Sequence, residues 1–455
     1  MEPFRYHVYA CDQQKPEGLV SCSVRGSART IDALRKAIAA EGLVDEVQVT
    51  SCGSLGLCER GPNMVVYPEG TWYSGVTPED VPEIVQSHFR DGVPVERLVS
   101  RDGAALKAEI RANRDKMLMG MRAREAAGAL PDDLYATVRG FMESRVVLTA
   151  LELDLFTAVG KGATAGEAAQ RAGTDPRATE AILNALVAMG LLAKADVLYS
   201  VTPVTGRYFA AGGEHEARVA TLHNASLWER WSRLTDAVRG GTAPAFTDEG
   251  ERGAEWTVPF IAAMHRIARE RTRMVVGAVG VDSVKRVLDV GGGSGAYAIA
   301  FAQASPQVEV DLLDRPDVLE IAARHVGEAG LADRVHLRPG DLTKDALGEG
   351  YDLVLLSAIC HSLDEEGNEG LVRRCREALA PGGRLVISEF ILDEDGTGPK
   401  FAALFSLNML VGTKGGASYT EGRIASWMSS AGLSDVRRIR LPGPAHLVVG
   451  TRPVA

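Results

Sequence analysis

The chain has 455 residues, 45% of them hydrophobic and 24% charged, with a formal charge of −10 at pH 7. That acidic balance excludes nucleic acid as the main partner, because phosphate binding demands a concentrated basic face. No apolar run approaches the ~18 residues needed to cross a membrane, so the cytoplasm is the expected location, and its six cysteines are expected as thiols or metal ligands rather than disulfides.

The length allows roughly two to four domains. Residues 1–98 read as a small α/β unit: Phe4–Ala10 is strand-like, Ser27–Glu41 helical, and Glu46–Thr50 a strand. Met64–Tyr67 and Thr71–Tyr73 flank the turn Pro68-Glu-Gly70, and Thr77-Pro-Glu-Asp80 opens a helix. Cys11, Cys22, Cys52 and Cys58 fall here and the other two cysteines far downstream, which marks a separate module. Residues 99–130 are a helix-prone linker with a basic excess (Arg101, Lys107, Arg111, Arg114, Lys116, Arg122, Arg124), read as a solvated face. Over 131–225, helical periodicity at Leu134–Val159, two capped helices at Thr164–Ala172 and Asp175–Met189, and a hairpin at Leu191–Val201 outline a winged helix. Its second helix carries one basic side chain, so it is expected to be buried or dimer-forming rather than to read DNA. Aromatic-rich helices follow (Trp228, Trp231, Trp256, Phe260), broken by a Gly/Pro loop at 240–253. From 284 strands alternate with helices, the pattern of a doubly wound parallel sheet.

The most informative stretch is VLDVGGGSG at 287–295, where a strand passes through Asp289 and then Gly291, Gly293 and Gly295 into a helix. Such a turn brings backbone close to a ligand and aims a helix N-terminus at it. The spacing suits S-adenosylmethionine (SAM), yet Gly291, Gly293 and Ala296 also satisfy the dinucleotide pattern. Polar residues at the later strand ends add to the site. Asp314 ends the second strand, where a carboxylate accepts from a ribose diol. Asp341 follows the third strand, placed to take an adenine amino group. His361 follows the fourth in Ser357-Ala-Ile-Cys-His-Ser-Leu-Asp, and Glu389 lies near the end of the fifth. Cys360 beside His361 raises a Cys–His nucleophile, but no orienting third residue is apparent and a packed thiol is the stronger reading.

The ordered set VLDVGGGSG, LLDRPDV, PGDL, ICHSLDEE, PGGRLVISEFIL and GGASYT closely resembles the small-molecule SAM-dependent O-methyltransferases of plant and bacterial natural-product pathways, over about 131–455. The resemblance implies a winged-helix dimerisation domain at 131–225, then substrate-cap helices and a Rossmann-like class I methyltransferase domain at 226–455, in a homodimer. It implies that Asp289, Gly291, Gly293, Gly295, Asp314, Arg315, Asp341, Leu342 and Ser357 surround SAM, that His361 is the general base and that Glu389 flanks it. Phe141, His223, Trp228, Met264, Asn408 and Met409 are the implied acceptor contacts, with Trp231 and Phe260 on the same helices. Two positions depart from the family: Ser362 stands where aspartate is common and Ser418 where many members have glutamate.

Cys11-x10-Cys22 and the loop Ser51-Cys-Gly-Ser-Leu-Gly-Leu-Cys58, over about 4–98, resemble the thioredoxin-like [2Fe–2S] ferredoxins. The implied ligands are Cys11, Cys22, Cys52 and Cys58. The family's second loop is usually C-x3-C, which would place a ligand at Ser54; the alternatives are an oxygen ligand from Ser54 or a lost cluster. Together the two resemblances imply a methyltransferase of small natural-product-like acceptors, O-methylation first, carrying a redox or structural module served by an electron donor protein. The alternative is a hydroxylase or reductase on the methyltransferase scaffold, using the cluster, with SAM structural.

Overall fold

The computed structural model describes residues 3–15, 20–215, 217–244 and 254–454. Residues 245–253 of the loop expected at 240–253, and the side chain of Trp256, lie outside the described residues. No described helix is long and apolar enough to cross a membrane. The chain divides into two compact units, 1–141 and 142–455.

The first unit contains β1 (Tyr6–Cys11), α1 (Ser27–Ala40), β2 (Val47–Cys52), β3 (Asn63–Tyr67), β4 (Thr71–Ser74), α2 (Val81–Glu83), which continues as a π-helix over Ile84–Arg90, and α3 (Gly103–Ala126). Its sheet has the order β2-β1-β3-β4. β1 and β2 run parallel, with Cys11 opposite Cys52, and the other neighbours run antiparallel. Val8, Leu34, Val66, Ile84 and Phe89 form the centre of its core, each fully buried. Asp102 caps α3 by accepting from the Ala104 and Ala105 N–H groups. The first half of α3 packs on the cysteine loop: Asn113 Nδ2 donates to the Gly56 carbonyl at 2.9 Å, and Arg60 pairs with Glu109 at 2.5 Å. Gly56 sits at φ +83, and a Cβ there would come within 2.9 Å of Ile110, so only glycine suits both the backbone and the close approach.

α4 (Asp132–Glu152) crosses the division. The continuous periodicity over Leu134–Val159 is broken in the structure, because Asp154 adopts a left-handed φ of 52°. The Thr157 hydroxyl donates to its carboxylate at 2.7 Å, and α5 (Leu155–Val159) begins anew. Next come α6 (Ala165–Ala172), opened by a Thr164/Glu167 capping box, α7 (Pro176–Ala188), the hairpin β5 (Leu192–Ala195) and β6 (Leu198–Val201), and α8 (Pro203–Tyr208). The capping box satisfies helix-start donors, an arrangement that contributes about 1 kcal/mol. α7 buries Thr179, Leu183 and Leu186, so its inward face is core.

α9 (Arg218–Ser232), α10 (Leu234–Gly240) and α11 (Ala254–Val279) precede the large sheet. That sheet is built from β7 (Arg286–Val290), α12 (Ala296–Ala304), β8 (Glu309–Asp314), α13 (Pro316–Glu328), β9 (Val335–Pro339), β10 (Tyr351–Ser357), α14 (Glu365–Ala378), β11 (Leu379–Glu389), α15 (Lys400–Gly412), α16 (Glu421–Ser430), β12 (Ser434–Ile439) and β13 (His446–Thr451). The strand order is β12-β13-β11-β10-β7-β8-β9, with β13 antiparallel to both its neighbours and the central strands parallel. The chain moves outward from β7 to β9 and returns at β10. The C-terminal ends of β7 and β10 therefore flank the crevice where such sheets bind ligands.

The glycine loop at this crevice is held from two helices. Ser294 Oγ is hydrogen-bonded to His265 Nδ1 of α11 at 2.8 Å, and the Ser294 carbonyl accepts from His325 Nδ1 of α13 at 3.1 Å. The two imidazoles lie with centroids 4.0 Å apart. Burial, then the nearby His325 and Arg269, lower the His265 pKa to about 4. An unfolded histidine titrates near 6.5, so this neutral, half-buried imidazole contributes stability that is complete above about pH 6.5 and declines as the pH falls towards 4. The thermal midpoint is expected to drop between pH 7.5 and pH 5, and His265→Asn is expected to shrink that drop; an equal drop in wild type and variant, read by scanning calorimetry, would remove His265 as a source.

Candidate active site

Four strand ends build the site. At β7, Asp289 is buried with Oδ2 lacking any hydrogen-bond partner, and burial followed by the Asp314 charge raises its pKa to about 7. Gly291 follows at φ +69, where a Cβ would collide with Ile359 Cδ1. A side chain there would close the crevice between the β7 and β10 ends. Leu342 approaches the same point. Gly293 lies at φ +58 with open space where its Cβ would be.

At β8, Asp314 accepts from the Gly293 N–H at 2.8 Å through one oxygen and from the Arg315 N–H at 2.7 Å through the other. Burial raises its pKa. The Arg315 guanidinium turns to Asp317, 3.0 Å away. After β9, Asp341 is drawn into its own turn: it accepts from the Thr343 hydroxyl at 2.6 Å and N–H at 2.8 Å and pairs with Lys344 at 3.0 Å. These contacts, the Thr343 hydroxyl foremost, hold its pKa at about 2. Ser357 ends β10; burial raises the pKa of the neighbouring Tyr297 hydroxyl, and Ser357 lowers it.

β10 and β11 are parallel with Ser357 opposite Ser388, which sets Glu389 beside the turn Cys360–Ser362. His361 Nδ1 lies 2.8 Å from Glu389 Oε2, and the His361 backbone N–H donates to Oε1 at 3.3 Å. The side chains are 14% and 5% exposed. A carboxylate only accepts, so Nδ1 carries the proton and Nε2 is left as a basic nitrogen. Cys360 is fully buried and its thiol pKa is pushed well up by burial, which rules against the Cys–His nucleophile. The two departures from the family pattern have structural duties instead. Ser362 Oγ donates to the Ile359 carbonyl at 2.7 Å, and buried Ser418 donates to the Ala402 carbonyl at 3.0 Å. Neither supplies His361 with a second carboxylate.

The acceptor candidates divide. α9 and α15 pack together, and Trp231 Nε1 donates to Asn408 Oδ1 at 2.9 Å. His223 and Phe260 rings lie 5.3 Å apart, and burial lowers the His223 pKa. Arg145 stacks over Trp228 at 5.5 Å. Met264 is partly buried on α11, beside His265, and Met409 is buried on α15. Phe141, by contrast, belongs to the first unit and is 59% exposed. Sequence reading missed the rings around His361. Phe405 meets it edge-on at 4.8 Å, and Phe390 packs on Phe405 at 4.6 Å and Phe401 at 4.9 Å. The Phe401/Phe405 pair at i, i+4 on α15, with Phe390 directly after Glu389, was the available signal.

In the first unit, Cys11 and Cys22 are both buried, and the neighbouring Cys22 lowers the Cys11 thiol pKa. Asn63 Nδ2 donates to Cys22 Sγ at 3.4 Å, and Ser54 Oγ lies 3.6 Å from Cys58 Sγ. A Cβ at Gly61 would come within 2.7 Å of Cys22 Sγ. Cys52 is partly exposed and near enough to Cys11 to feel its charge. Among the described residues, no three cysteine, histidine or acidic side chains are arranged around a single metal ion.

Two family models match the chain: an O-methyltransferase domain over residues 231–434 and an O-methyltransferase dimerisation domain over 135–211. The chain is 34% identical to a 3-hydroxy-5-methyl-1-naphthoate 3-O-methyltransferase of Streptomyces sahachiroi, over 73% of this chain and 100% of that protein. It is 30% identical to the tetracenomycin polyketide synthesis 8-O-methyl transferase TcmO of Streptomyces glaucescens, over 71% and 97%. Among solved structures it resembles PigF with SAH, at 28% identity and TM-score 0.66, covering 71% of this chain and 100% of that one. An O-methyltransferase family protein from Burkholderia thailandensis matches at 27% and TM-score 0.66, covering 72% and 100%. Both family matches lie beyond residue 134, so they leave Cys11, Cys22, Cys52 and Cys58 aside, and they favour methyl transfer over the redox alternative. The chain belongs to the O-methyltransferase family, as a SAM-dependent enzyme of small molecules that carries that family's dimerisation domain.

Proposed function

We propose that this enzyme methylates an aromatic hydroxyl of a flat, natural-product-like acceptor, with His361 as general base and Glu389 as its orienting carboxylate. The observation that carries the reading is the 2.8 Å His361–Glu389 contact among three phenylalanine rings. A phenol has a pKa of about 10 and must lose its proton to become a strong nucleophile near neutrality. Nε2 takes that proton, Glu389 stabilises the resulting imidazolium, and Phe390, Phe401 and Phe405 offer apolar faces to a planar ring. The polyketide and naphthoate acceptors in the names of the two Streptomyces relatives support the same class.

We assign SAM to the crevice lined by Asp289, Gly291, Gly293, Gly295, Asp314, Arg315, Asp341, Leu342 and Ser357. The fit rests on the unpartnered Asp289 oxygen, the left-handed glycines and the open space at Gly293. When bound, SAM supplies a methyl group made electrophilic by its sulfonium. Asp314 is suited to a ribose diol and Leu342 to the adenine face. His223, Trp228, Met264, Asn408 and Met409 are assigned to the acceptor side, with Trp231 holding the Asn408 amide. Phe141 is retained there as a residue for a partner subunit's site. We divide the chain into 1–98, a linker at 99–130, the dimerisation domain at 131–225 and the catalytic domain at 226–455.

For the first unit we propose a thioredoxin-like [2Fe–2S] domain with Cys11, Cys22, Cys52 and Cys58 as ligands. The support is the pairing of Cys11 with Cys52 at the ends of β1 and β2, with Asn63 on Cys22 and Ser54 beside Cys58. A binuclear cluster spreads its four sulfur ligands over two irons. Such a cluster supplies one-electron chemistry.

His361→Ala is expected to lower kcat by about 10²- to 10⁴-fold while S-adenosylhomocysteine affinity, read by calorimetry, stays unchanged. Glu389→Gln is expected to cost roughly tenfold or more by disturbing the tautomer; wild-type turnover in both variants would overturn the assignment. Anaerobically purified protein is expected to hold two irons and two acid-labile sulfides per chain, with visible absorption lost in Cys52→Ala. Iron-free, colourless protein after anaerobic reconstitution would refute the cluster.

A further inference from the structure

The apolar stripe of α3 does not stop where the cysteine-bearing unit's core ends. Leu106 is buried and Ile110 packs on Gly56, and the same helical spacing continues through Asn113 to Met117 and Met121, which are 50% and 60% exposed. On α4, Leu134, Val138 and Phe141 repeat at i, i+4 and i+7, with exposures of 48%, 62% and 59%. Arg124, near the end of α3, grips Asp132 at the start of α4, with one nitrogen at 3.1 Å, so the two stripes are tied across a short turn. Large apolar side chains that recur along one helix face and stay about half exposed mark an interaction site rather than scattered exposure.

We propose that a second copy of this chain covers both stripes, so that the subunit interface runs beyond the dimerisation domain and onto α3. Continuity carries the choice of occupant. The matched dimerisation domain begins at residue 135 and takes in Val138 and Phe141, whereas Met117 and Met121 lie outside it. The interface of such dimers would therefore be extended by a segment that the matched domain does not include. The helix seated on Gly56, in the loop between Cys52 and Cys58, thereby becomes a dimer element, and subunit association stiffens the scaffold of that loop. The inference does not depend on the methylated acceptor or on what the cysteines hold.

The test uses the full-length protein. Sedimentation velocity over a dilution series should show the Met117→Glu/Met121→Glu double variant dimerising at least tenfold more weakly than wild type, with an unchanged circular dichroism spectrum. Lys107→Glu, on the charged side of α3, should dimerise as wild type does. In wild type, hydrogen exchange across 114–126 should slow as protein concentration crosses the dimer Kd, a readout that needs no variant to fold. A dimer constant untouched by the double variant would overturn the proposal. So would α3 protection that is independent of concentration, because the same chain would then cover the stripe. Protection gained only on adding phospholipid vesicles would assign the stripe to a membrane surface and likewise overturn it.

Discussion

Glu389 is a buried carboxylate whose two oxygens are both engaged by one residue, His361, through its ring and its backbone N–H. A buried charge persists only where it is paired and hydrogen-bonded. The surrounding structure is the means of meeting that condition. Parallel pairing of β10 and β11 sets the register, the turn at Cys360–Ser362 presents the histidine, and Cys360 and Leu356 bury the base of the turn. Removing either partner leaves the other stranded, so geometry and stability are bound to one contact. The proposed chemistry rests on the same contact, because a proton fixed on Nδ1 leaves Nε2 as the nitrogen able to accept one.

The cofactor side is ruled by a different tension. The Asp314 charge adds to the cost of ionising Asp289, and burial weighs on both carboxyls. Asp314 meets that cost with two backbone N–H groups, one from the glycine loop and one from the start of the next turn. Asp289 leaves Oδ2 unpartnered in the structure. A ligand that brings donors or positive charge to this crevice satisfies a group the protein alone does not. The proposed SAM assignment rests on this unmet demand of a costly carboxylate pair.

How far the sequence disclosed this depended on whether the signal was local. Asp289, the glycines, Asp314, His361 and Glu389 stand at strand ends, and strand ends are readable from apolar runs and the turns that follow. The hairpin of β5 and β6 and the capped starts of α6 and α7 were legible for the same reason. Asp154 was not, since the apolar period runs through it and only the left-handed backbone with its Thr157 contact reveals the break. The ring set of Phe390, Phe401 and Phe405 depends on α15 folding over the end of β11, and the His265–His325 contact joins two helices far apart in the chain. Neither leaves a periodic trace. The stripe on α3 was visible as methionines at helical spacing, but the basic residues between them made the helix read as a solvated linker.

α11 links the glycine loop to the helices around His361. His265 holds the glycine loop through Ser294, and its neighbour Met264 lies on the same helix, which packs along α9. α9 in turn carries Trp231, which fixes Asn408 on α15, the helix that also bears Phe401 and Phe405. α11 thus touches the glycine loop directly and, through one packed helix, the helix that carries the rings beside His361. Positioning is the larger part of catalysis when the electrophile is already activated, and effective molarities depend on close placement of both reactants. Under the proposed assignment, a single helix that touches the supports of both sites would set the acceptor hydroxyl and the methyl donor against one another by packing.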